Sequence, residues 1–169
     1  VTMIVPPRLL CKLDLASGVP AEMRTMVVVP WLLTDHEGIE EFIERLQVHY
    51  LANPEGQIHF ALLTDWKDAA HEHMPGDNEL LTELAESIAE LNERYGSPGN
   101  GGDRFILLHR RRLWNEAESR WMGWERKRGK LHELNQLLRG ATDTSFIPVK
   151  GRPPTVPDGV RYVITLDAD

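Results

Sequence analysis

The sequence predicts an α/β fold with a mostly parallel sheet and flanking helices. Near-continuous apolar runs of strand length, rich in β-branched residues, alternate with segments whose apolar residues recur at helical spacing. In order, the segments read β-α-β-α-β-α-β, and short helices between buried strands favour parallel pairing through crossover connections. With 169 residues, 41% of them apolar and 27% charged, the chain is long enough for one globular domain with a core.

The first half of the chain predicts two buried strands and two helices that cover them. Residues 25–33 and 58–63 are near-continuous apolar runs, as strands buried on both faces require. Residues 34–37 match a capping box, which predicts the start of the first helix. The second helix is predicted to begin near Asp77 and to end at Gly96.

The second half predicts a third strand, a third helix and a final strand. Residues 104–109 contain an apolar run of strand length. Leucines at helical spacing over residues 131–138 predict a helix that ends at Gly140. Residues 162–169 begin as an apolar run with β-branched residues, which predicts a buried final strand.

The start of the chain differs in composition from the rest. Residues 1–20 scatter three prolines and a glycine among apolar residues, which predicts an extended N-terminal arm. Residues 21–169 then form one domain. Because the chain opens on Val1 and ends on a predicted strand, we expect it to be a piece of a longer protein.

Three carboxylates follow predicted strands. Asp65 follows the second strand, and Asp167 and Asp169 end the final strand with i, i+2 spacing. Open α/β sheets bind ligands in the crevice outside the carboxyl ends of their strands, and an Asp-x-Asp pair there can hold a divalent cation through oxygen ligands. Asp65 is therefore a candidate for binding a base or ribose, and the pair for a metal that neutralises a diphosphate. On spacing alone, the alternative that these aspartates only close strands stays open.

A basic cluster marks the start of the third predicted helix. Its members are Arg126, Lys127, Arg128 and Lys130. Cations at a helix N-terminus oppose the helix dipole, so this cluster costs stability unless a negative group lies nearby. A diphosphate would supply that group, and a solvated run of charges is the alternative.

Composition argues against several other functions. A formal net charge of −7 disfavours broad electrostatic binding of nucleic acid. The single cysteine, Cys11, rules out an internal disulfide framework and a Cys-based zinc site. The apolar stretches are shorter than the roughly 20 residues of a membrane-spanning helix, and the start lacks a signal-peptide pattern. His71, Glu72 and His73 have weak metal-site spacing and favour a solvated loop.

Longer segments of the chain, in order, resemble the glycosyltransferase domain of bacterial cyclic β-1,2-glucan synthases, family 84 of the glycosyltransferases. The resemblance runs from about Leu13 to the end of the chain. The segments that carry it are Val28-Val29-Pro30, His49-Tyr50-Leu51-Ala52-Asn53-Pro54, Phe60-Ala61-Leu62-Leu63-Thr64-Asp65-Trp66, Leu108-His109-Arg110-Arg111-Arg112, Gly123-Trp124-Glu125-Arg126-Lys127-Arg128-Gly129-Lys130 and Tyr162-Val163-Ile164-Thr165-Leu166-Asp167-Ala168-Asp169.

The resemblance implies an incomplete GT-A fold, a Rossmann-like sheet with flanking helices, in which residues 21–169 are the nucleotide-sugar-binding half. It implies UDP-glucose as donor, Mg²⁺ or Mn²⁺ as cofactor, a β-glucan acceptor and β-1,2-glucosyl transfer with inversion. By position, Asp65 resembles the carboxylate that contacts uridine, and Asp167 with Asp169 the metal and diphosphate motif. Three basic residues resemble those on the diphosphate side: Lys127, Arg128 and Lys130.

The resemblance also implies what these residues lack. In similar enzymes the general base and the acceptor-binding motif lie downstream of the Asp-x-Asp, so we expect the chain alone to bind donor without turnover. The parent enzymes are large bacterial inner-membrane proteins whose transferase domain faces the cytoplasm. The low cysteine count and the absent signal agree with that location.

Two other functions stay open from the sequence. A sugar nucleotidyltransferase can share the sheet and the metal carboxylates, but it normally carries a glycine-rich loop after the first strand, where Pro30-Trp31-Leu32-Leu33 stands. A non-catalytic interaction domain would instead present the three tryptophans that bracket a predicted polar loop to a protein or glycan. They are Trp114, Trp121 and Trp124.

Overall fold

A four-stranded parallel sheet forms the centre of the fold. The computed structural model describes residues 15, 17–99 and 102–167, so most of the predicted N-terminal arm lies outside the described residues. A short 3₁₀ helix, Ala21–Met23, precedes the sheet. The strands and helices are β1 Thr25–Leu33, α1 His36–Ala52, β2 Ile58–Trp66, α2 Asp77–Tyr95, β3 Phe105–Arg110, β4 Leu113–Asn115, β5 Arg120–Met122, α3 Arg126–Leu138 and β6 Tyr162–Thr165.

The strand order in this sheet is β3-β2-β1-β6, and every pair in it is parallel. The predicted α/β fold class with a parallel, Rossmann-like sheet is therefore confirmed. Parallel pairing brings the carboxyl ends of all four strands to one edge of the sheet. In the register of β2 and β3, Asp65 lies opposite Arg110. The carboxyl edge thus places a carboxylate beside a guanidinium on neighbouring strands.

Both faces of the sheet are covered by other parts of the chain. Since side chains alternate from face to face along each strand, each strand contributes to two separate cores. One face packs against α1 and α2, and its core contains Val29, Leu33, Ile39, Phe42, Leu46, Tyr50, Phe60, Leu62, Trp66, Leu81, Leu84, Ile88, Leu91 and Phe105. The other packs against α3 and the following loop through Met26, Val28, Ala61, Leu63, Leu108, Leu134 and Phe146. Two-sided burial explains why the sequence of β1 and β2 is almost continuously apolar.

Helix α1 begins one residue later than the capping box predicts. Its N-cap is Asp35, whose Oδ1 accepts a hydrogen bond of 2.9 Å from the backbone N–H of Gly38. Aspartate caps a helix as well as threonine does, so two adjacent capping residues leave the start ambiguous in the sequence. Helix α2 begins at Asp77 and is followed by Gly96, as predicted.

The prediction of a buried final strand is wrong. All four residues of β6 are exposed, and the strand is shorter than the predicted segment. Among the described residues β6 pairs with β1 alone, at the edge of the sheet. Its apolar composition is that of a buried strand, but an edge position leaves much of that surface in contact with solvent.

The predicted polar loop after β3 contains a β-hairpin. Strands β4 and β5 pair antiparallel, with Trp114 directly opposite Trp121. Strands of three residues are too short to give a clear alternating pattern, so the sequence does not reveal them. Within the described part of the chain, no helix is long and apolar enough to cross a membrane.

Candidate functional site at the carboxyl edge of the sheet

A cavity of about 430 Å³ opens at the carboxyl edge of the sheet. The ends of β1 and β2 form one wall, and the start of α3 forms another. The residues that line it are Pro30, Trp31, Leu32, Asp65, Trp66, Asp68, Gly123, Arg126, Lys127 and Lys130. The cavity therefore contains the predicted Asp65 and three of the four cations of the basic cluster, of which Lys127 and Lys130 are predicted for the diphosphate side.

Asp65 is a buried carboxylate with both oxygens bound to cations. Only 3% of the residue is exposed. Arg110 binds it in a bidentate manner, through Nε to Oδ1 at 2.7 Å and Nη2 to Oδ2 at 3.0 Å. Lys130 Nζ lies 3.1 Å from the same Oδ2. Paired, planar contacts of this kind fix the orientation of the carboxylate.

Arg110 connects Asp65 to a second buried carboxylate, Glu133 of α3. Its Nη1 donates to Glu133 Oε1 at 2.8 Å, and its Nη2 also donates to the backbone carbonyl of Arg126 at 3.1 Å. Glu133 accepts further hydrogen bonds from the backbone N–H and the hydroxyl of Ser145, at 2.6 and 2.8 Å. Asp65, Arg110, Lys130 and Glu133 thus form a buried ion network with two charges of each sign.

The ionisation of this network follows from its contacts. Burial lowers the pKa of Arg110, but the two carboxylates more than offset that effect, so the pKa is raised overall. Burial raises the pKa of Glu133, whereas hydrogen bonds from Ser145 and the Arg110 charge lower it, and the net direction is down. Both groups are held in their charged forms, which is how buried ions persist in a protein interior.

Lys130 holds the ends of two strands together. Its ammonium donates to the carbonyl of Trp31 at 2.8 Å and to that of Leu63 at 3.4 Å. Burial lowers the pKa of Lys130, and the Asp65 carboxylate opposes that shift. Lys130, which the resemblance assigns to the diphosphate side, therefore lines the cavity as a buried residue whose ammonium already contacts three oxygen atoms.

The exposed cations at the start of α3 have carboxylate partners within the chain. The contacts pair Arg126 with Asp68, Lys127 with Asp167 and Arg128 with Glu125. The negative groups that the helix dipole requires are thus supplied by aspartate and glutamate side chains. Lys127 remains 51% exposed and lines the cavity, whereas Arg128 is not among the lining residues.

An unusual turn positions the start of α3 over the cavity. Glu125 and Arg126 both have positive φ, 51° and 46°, in the left-handed region that costs energy for residues with a Cβ. Gly123 packs on Asp65, because a Cβ there would lie 2.6 Å from the carboxyl carbon. A Cβ at Gly129 would lie 1.9 Å from the Trp124 carbonyl oxygen. Glycine at position 123 thus permits close approach to the end of β2, and glycine at position 129 permits the tight turn in which Trp124 lies against the first turn of α3.

The predicted metal pair is only partly within the described residues. Asp167 is exposed and contacts Lys127, whereas Asp169 lies outside the described residues. A carboxylate at the end of a parallel strand is the kind of ligand that Mg²⁺ and Mn²⁺ take. Among the described residues, no group of three or more histidine, cysteine, aspartate or glutamate side chains could hold a metal ion.

The structure brings most of the predicted site residues together in two direct contacts. Asp65 contacts Lys130, and Asp167 contacts Lys127, both at the carboxyl edge. Sequence analysis missed Arg110 and Glu133 as members of the buried network. The position of Arg110 at the end of the third strand could have indicated its pairing with Asp65, because opposite charges at the ends of neighbouring parallel strands can pair.

The fold and this edge define an open α/β protein of the class that binds ligands beyond the carboxyl ends of its strands. The chain is 51% identical, over 168 residues and 99% of its length, to a segment of cyclic beta-(1,2)-glucan synthase NdvB from Rhizobium meliloti (strain 1021). The resemblance to cyclic β-1,2-glucan synthases is therefore confirmed. The chain spans 6% of the length of that relative. No family model matches the chain.

Proposed function

We propose that these residues are the donor-binding part of a glucosyltransferase domain, which binds UDP-glucose for the synthesis of a β-1,2-glucan by inverting transfer. The observation that carries the proposal is the 51% identity to a cyclic β-(1,2)-glucan synthase across 99% of the chain. The cavity at the carboxyl edge of the parallel sheet, which charged and apolar side chains line together, supports it, because nucleotides bind at that edge in open α/β folds. Assignment to family 84 and to the GT-A fold is part of the proposal.

Lys127 is the residue best situated to bind the diphosphate. It lines the cavity and is half-exposed, and its ion-pair partner, Asp167, is itself exposed. A diphosphate would compete with Asp167 for the ammonium, and the released carboxylate could then bind a cation together with Asp169. Mg²⁺ or Mn²⁺ held there would neutralise part of the negative charge on the departing UDP.

Asp65 and Lys130 would form the inner end of the donor site. Asp65 lines the cavity while Arg110 fixes its orientation, which suits a carboxylate that recognises the uridine. Lys130 would shield the diphosphate side from the buried Asp65 charge. Arg128, with its exposed guanidinium next to Lys127, would attract the anionic donor without lining the cavity.

The proposal assigns donor binding, and not turnover, to these residues. An inverting transfer needs a general base that takes the proton of the acceptor hydroxyl, and we place that base and the β-glucan acceptor motif downstream of Asp169, as in similar enzymes. We propose the location implied by the resemblance, the cytoplasmic face of a bacterial inner membrane.

A matched pair of lysine variants tests the diphosphate assignment. Lys127→Gln should weaken UDP binding about tenfold, because it removes a charge-assisted contact to phosphate. Lys150→Gln is the control, since Lys150 has similar exposure, 47% against 51%, and pairs with Glu86 on a different surface. UDP affinity would be measured by calorimetry in the presence of Mn²⁺.

Equal affinities of Lys127→Gln and Lys150→Gln for UDP would contradict the role of Lys127. Asp169→Ala should remove the effect of Mn²⁺, and full retention of metal-dependent affinity in that variant would contradict the role of the aspartate pair. Tighter binding of a nucleoside triphosphate than of UDP would instead favour a sugar nucleotidyltransferase.

A further inference from the structure

An aromatic pair lies on the β4–β5 hairpin and is not part of the lining of the cavity at the carboxyl edge. Trp114 of β4 and Trp121 of β5 are cross-strand partners with ring centroids 6.0 Å apart and an interplanar angle of 61°. Trp114 is 50% exposed, whereas Trp121 is partly buried. An indole that is half in solvent on a two-stranded hairpin offers a flat apolar surface that folding has not covered.

Backbone hydrogen bonds hold the Trp121 side of this pair in place. The N–H and the carbonyl of Trp121 both bond to Ala69, each at 2.9 Å, so the Trp121 backbone is bound to the loop after β2. Trp114 and Trp121 therefore form the non-hydrogen-bonded kind of antiparallel pair, in which cross-strand side chains are closest. The loop that carries Ala69 is itself fixed by Arg112, which donates to the carbonyls of Lys67 and Glu72. The aromatic surface is thus preorganised.

The hairpin borders the cavity at the carboxyl edge. Gly123, which lines the cavity, follows Trp121 by two residues, and Arg120 Nη1 lies 3.9 Å from Asp68, another lining residue. Arg126 also contacts Asp68, at 2.8 Å. The strand that carries Trp121 therefore leads directly into the lining of the proposed donor site.

The chemistry around the pair favours a carbohydrate. The hairpin that carries the exposed indole also carries exposed charged side chains that can bond to hydroxyl groups, namely Glu116, Glu118 and Arg120. In β-D-glucose the hydroxyl groups are equatorial, so each ring face presents C–H groups that pack on an indole while the rim makes hydrogen bonds. Within β4 and β5, Trp114 alone exposes a large apolar side chain, which is unlike a protein-docking patch, and the net charge of −7 disfavours nucleic acid.

We propose that Trp114, supported by Trp121, is a stacking platform for a glucose residue of a β-glucan chain next to the donor site. The identity of the ligand rests on the proposed function, because the glucan is the acceptor that function requires. The platform binds and orients the chain; the chemical step does not involve it.

A linear β-1,2-glucan oligosaccharide is the probe, titrated into the 169-residue chain and followed by calorimetry. Trp114→Ala should weaken glucan binding about tenfold, as expected for loss of a central aromatic contact, and should leave UDP affinity unchanged. Trp114→Phe keeps a smaller ring and should retain part of the affinity. Trp124→Ala is the matched control, because Trp124 is similarly exposed but makes an edge-on contact with His132 of α3.

The possible outcomes separate this inference from the proposed function. Glucan binding that survives Trp114→Ala, or that Trp124→Ala weakens as much, would overturn the platform. A chain that binds UDP but no glucan would overturn it too, while the donor proposal stands. A chain that binds glucan through Trp114 but no UDP would support the platform and contradict the donor site. Equal loss of UDP and glucan in Trp114→Ala and Trp114→Phe would mean that the pair only stabilises the hairpin, and would also overturn the inference.

Discussion

Arg110 is the most deeply buried charge in the described structure, and the side chain has no exposed surface. It lies between Asp65 and Glu133, and it also donates to the carbonyl of Arg126. A buried ion network adds little net stability when it is complete, but removal of one member leaves its partners charged and unpaired. The carboxyl edge therefore depends on Arg110 even though no ligand needs to touch it.

We expect Arg110→Met to lower the free energy of unfolding by about 3–5 kcal/mol, because two carboxylates lose their shared cation. Urea unfolding followed by circular dichroism would measure it. Arg111→Met, at an exposed neighbouring position, is the control and should change stability by less than about 0.5 kcal/mol. In the double variant with Glu133→Gln, the loss should be smaller than the sum of the two single losses. Strict additivity would mean that the two side chains are not coupled.

His109 gives the structure a pH dependence. Burial lowers its pKa to about 3, and the nearby Asp65 charge only partly opposes that effect. The unfolded chain has the ordinary histidine pKa of about 6.5, so between these values the unfolded state binds a proton that the folded state does not. The stability contribution of neutral His109 is therefore complete above about pH 6.5 and is lost as the pH falls towards about 3.

Between about pH 7.5 and pH 5, this single group should lower the free energy of unfolding by about 2 kcal/mol. The His109→Gln variant should lack that part of the decrease, whatever its stability at neutral pH. His73→Gln, at an exposed loop position, is the control and should keep the wild-type slope. Urea titrations at the two pH values give the comparison, and identical slopes for His109→Gln and the wild type would refute the assignment.

At the scale of elements, one arginine joins the loop after β2 to the sheet and to α2. Arg112 donates to the carbonyls of Lys67 and Glu72 and forms a bidentate pair with Asp77 at the start of α2, at 2.5 and 3.2 Å. Its guanidinium also lies over the Trp66 ring, 5.3 Å from the centroid. One side chain thus holds a loop that lacks a helix or strand of its own.

Arg112→Lys should loosen this loop, because lysine cannot reproduce the planar, multiple contacts of a guanidinium. We expect backbone amides in residues 67–76 to exchange with deuterium about tenfold faster, while amides in α1 stay protected. Hydrogen exchange with mass spectrometry would locate the change, and Arg111→Lys is the control. Faster exchange spread evenly over the whole chain would indicate that Arg112 stabilises the whole fold and does not act locally on this loop.

The regular elements were predictable because their patterns are local. Strands β1 and β2 are apolar on both faces, and α1 and α2 repeat apolar residues at helical spacing, so each element is specified within its own sequence. The hairpin β4–β5 was missed because strands of three residues carry no period. The exposure of β6 was missed because its composition does not indicate an edge position.

At the scale of the whole molecule, the sheet topology creates the candidate site. Parallel pairing brings the ends of β1, β2 and β6 to the edge where α3 begins, so residues from distant parts of the sequence meet there. The sequence predicts that Asp65, Lys127 and Lys130 share this edge. It does not predict that Lys130 is buried against Asp65, because that contact depends on how α3 packs on the end of β2, where Gly123 lies against Asp65.

We expect the cavity at the carboxyl edge to bind the nucleotide of a UDP-sugar together with a divalent cation. Calorimetric titration of UDP into the folded chain, with and without Mn²⁺, tests it most directly, after a thermal melt has shown cooperative unfolding. We predict saturable binding that Mn²⁺ strengthens about tenfold, because the cation neutralises diphosphate charge. Absence of UDP binding by the cooperatively folded chain, or binding that Mn²⁺ does not change, would contradict the claim.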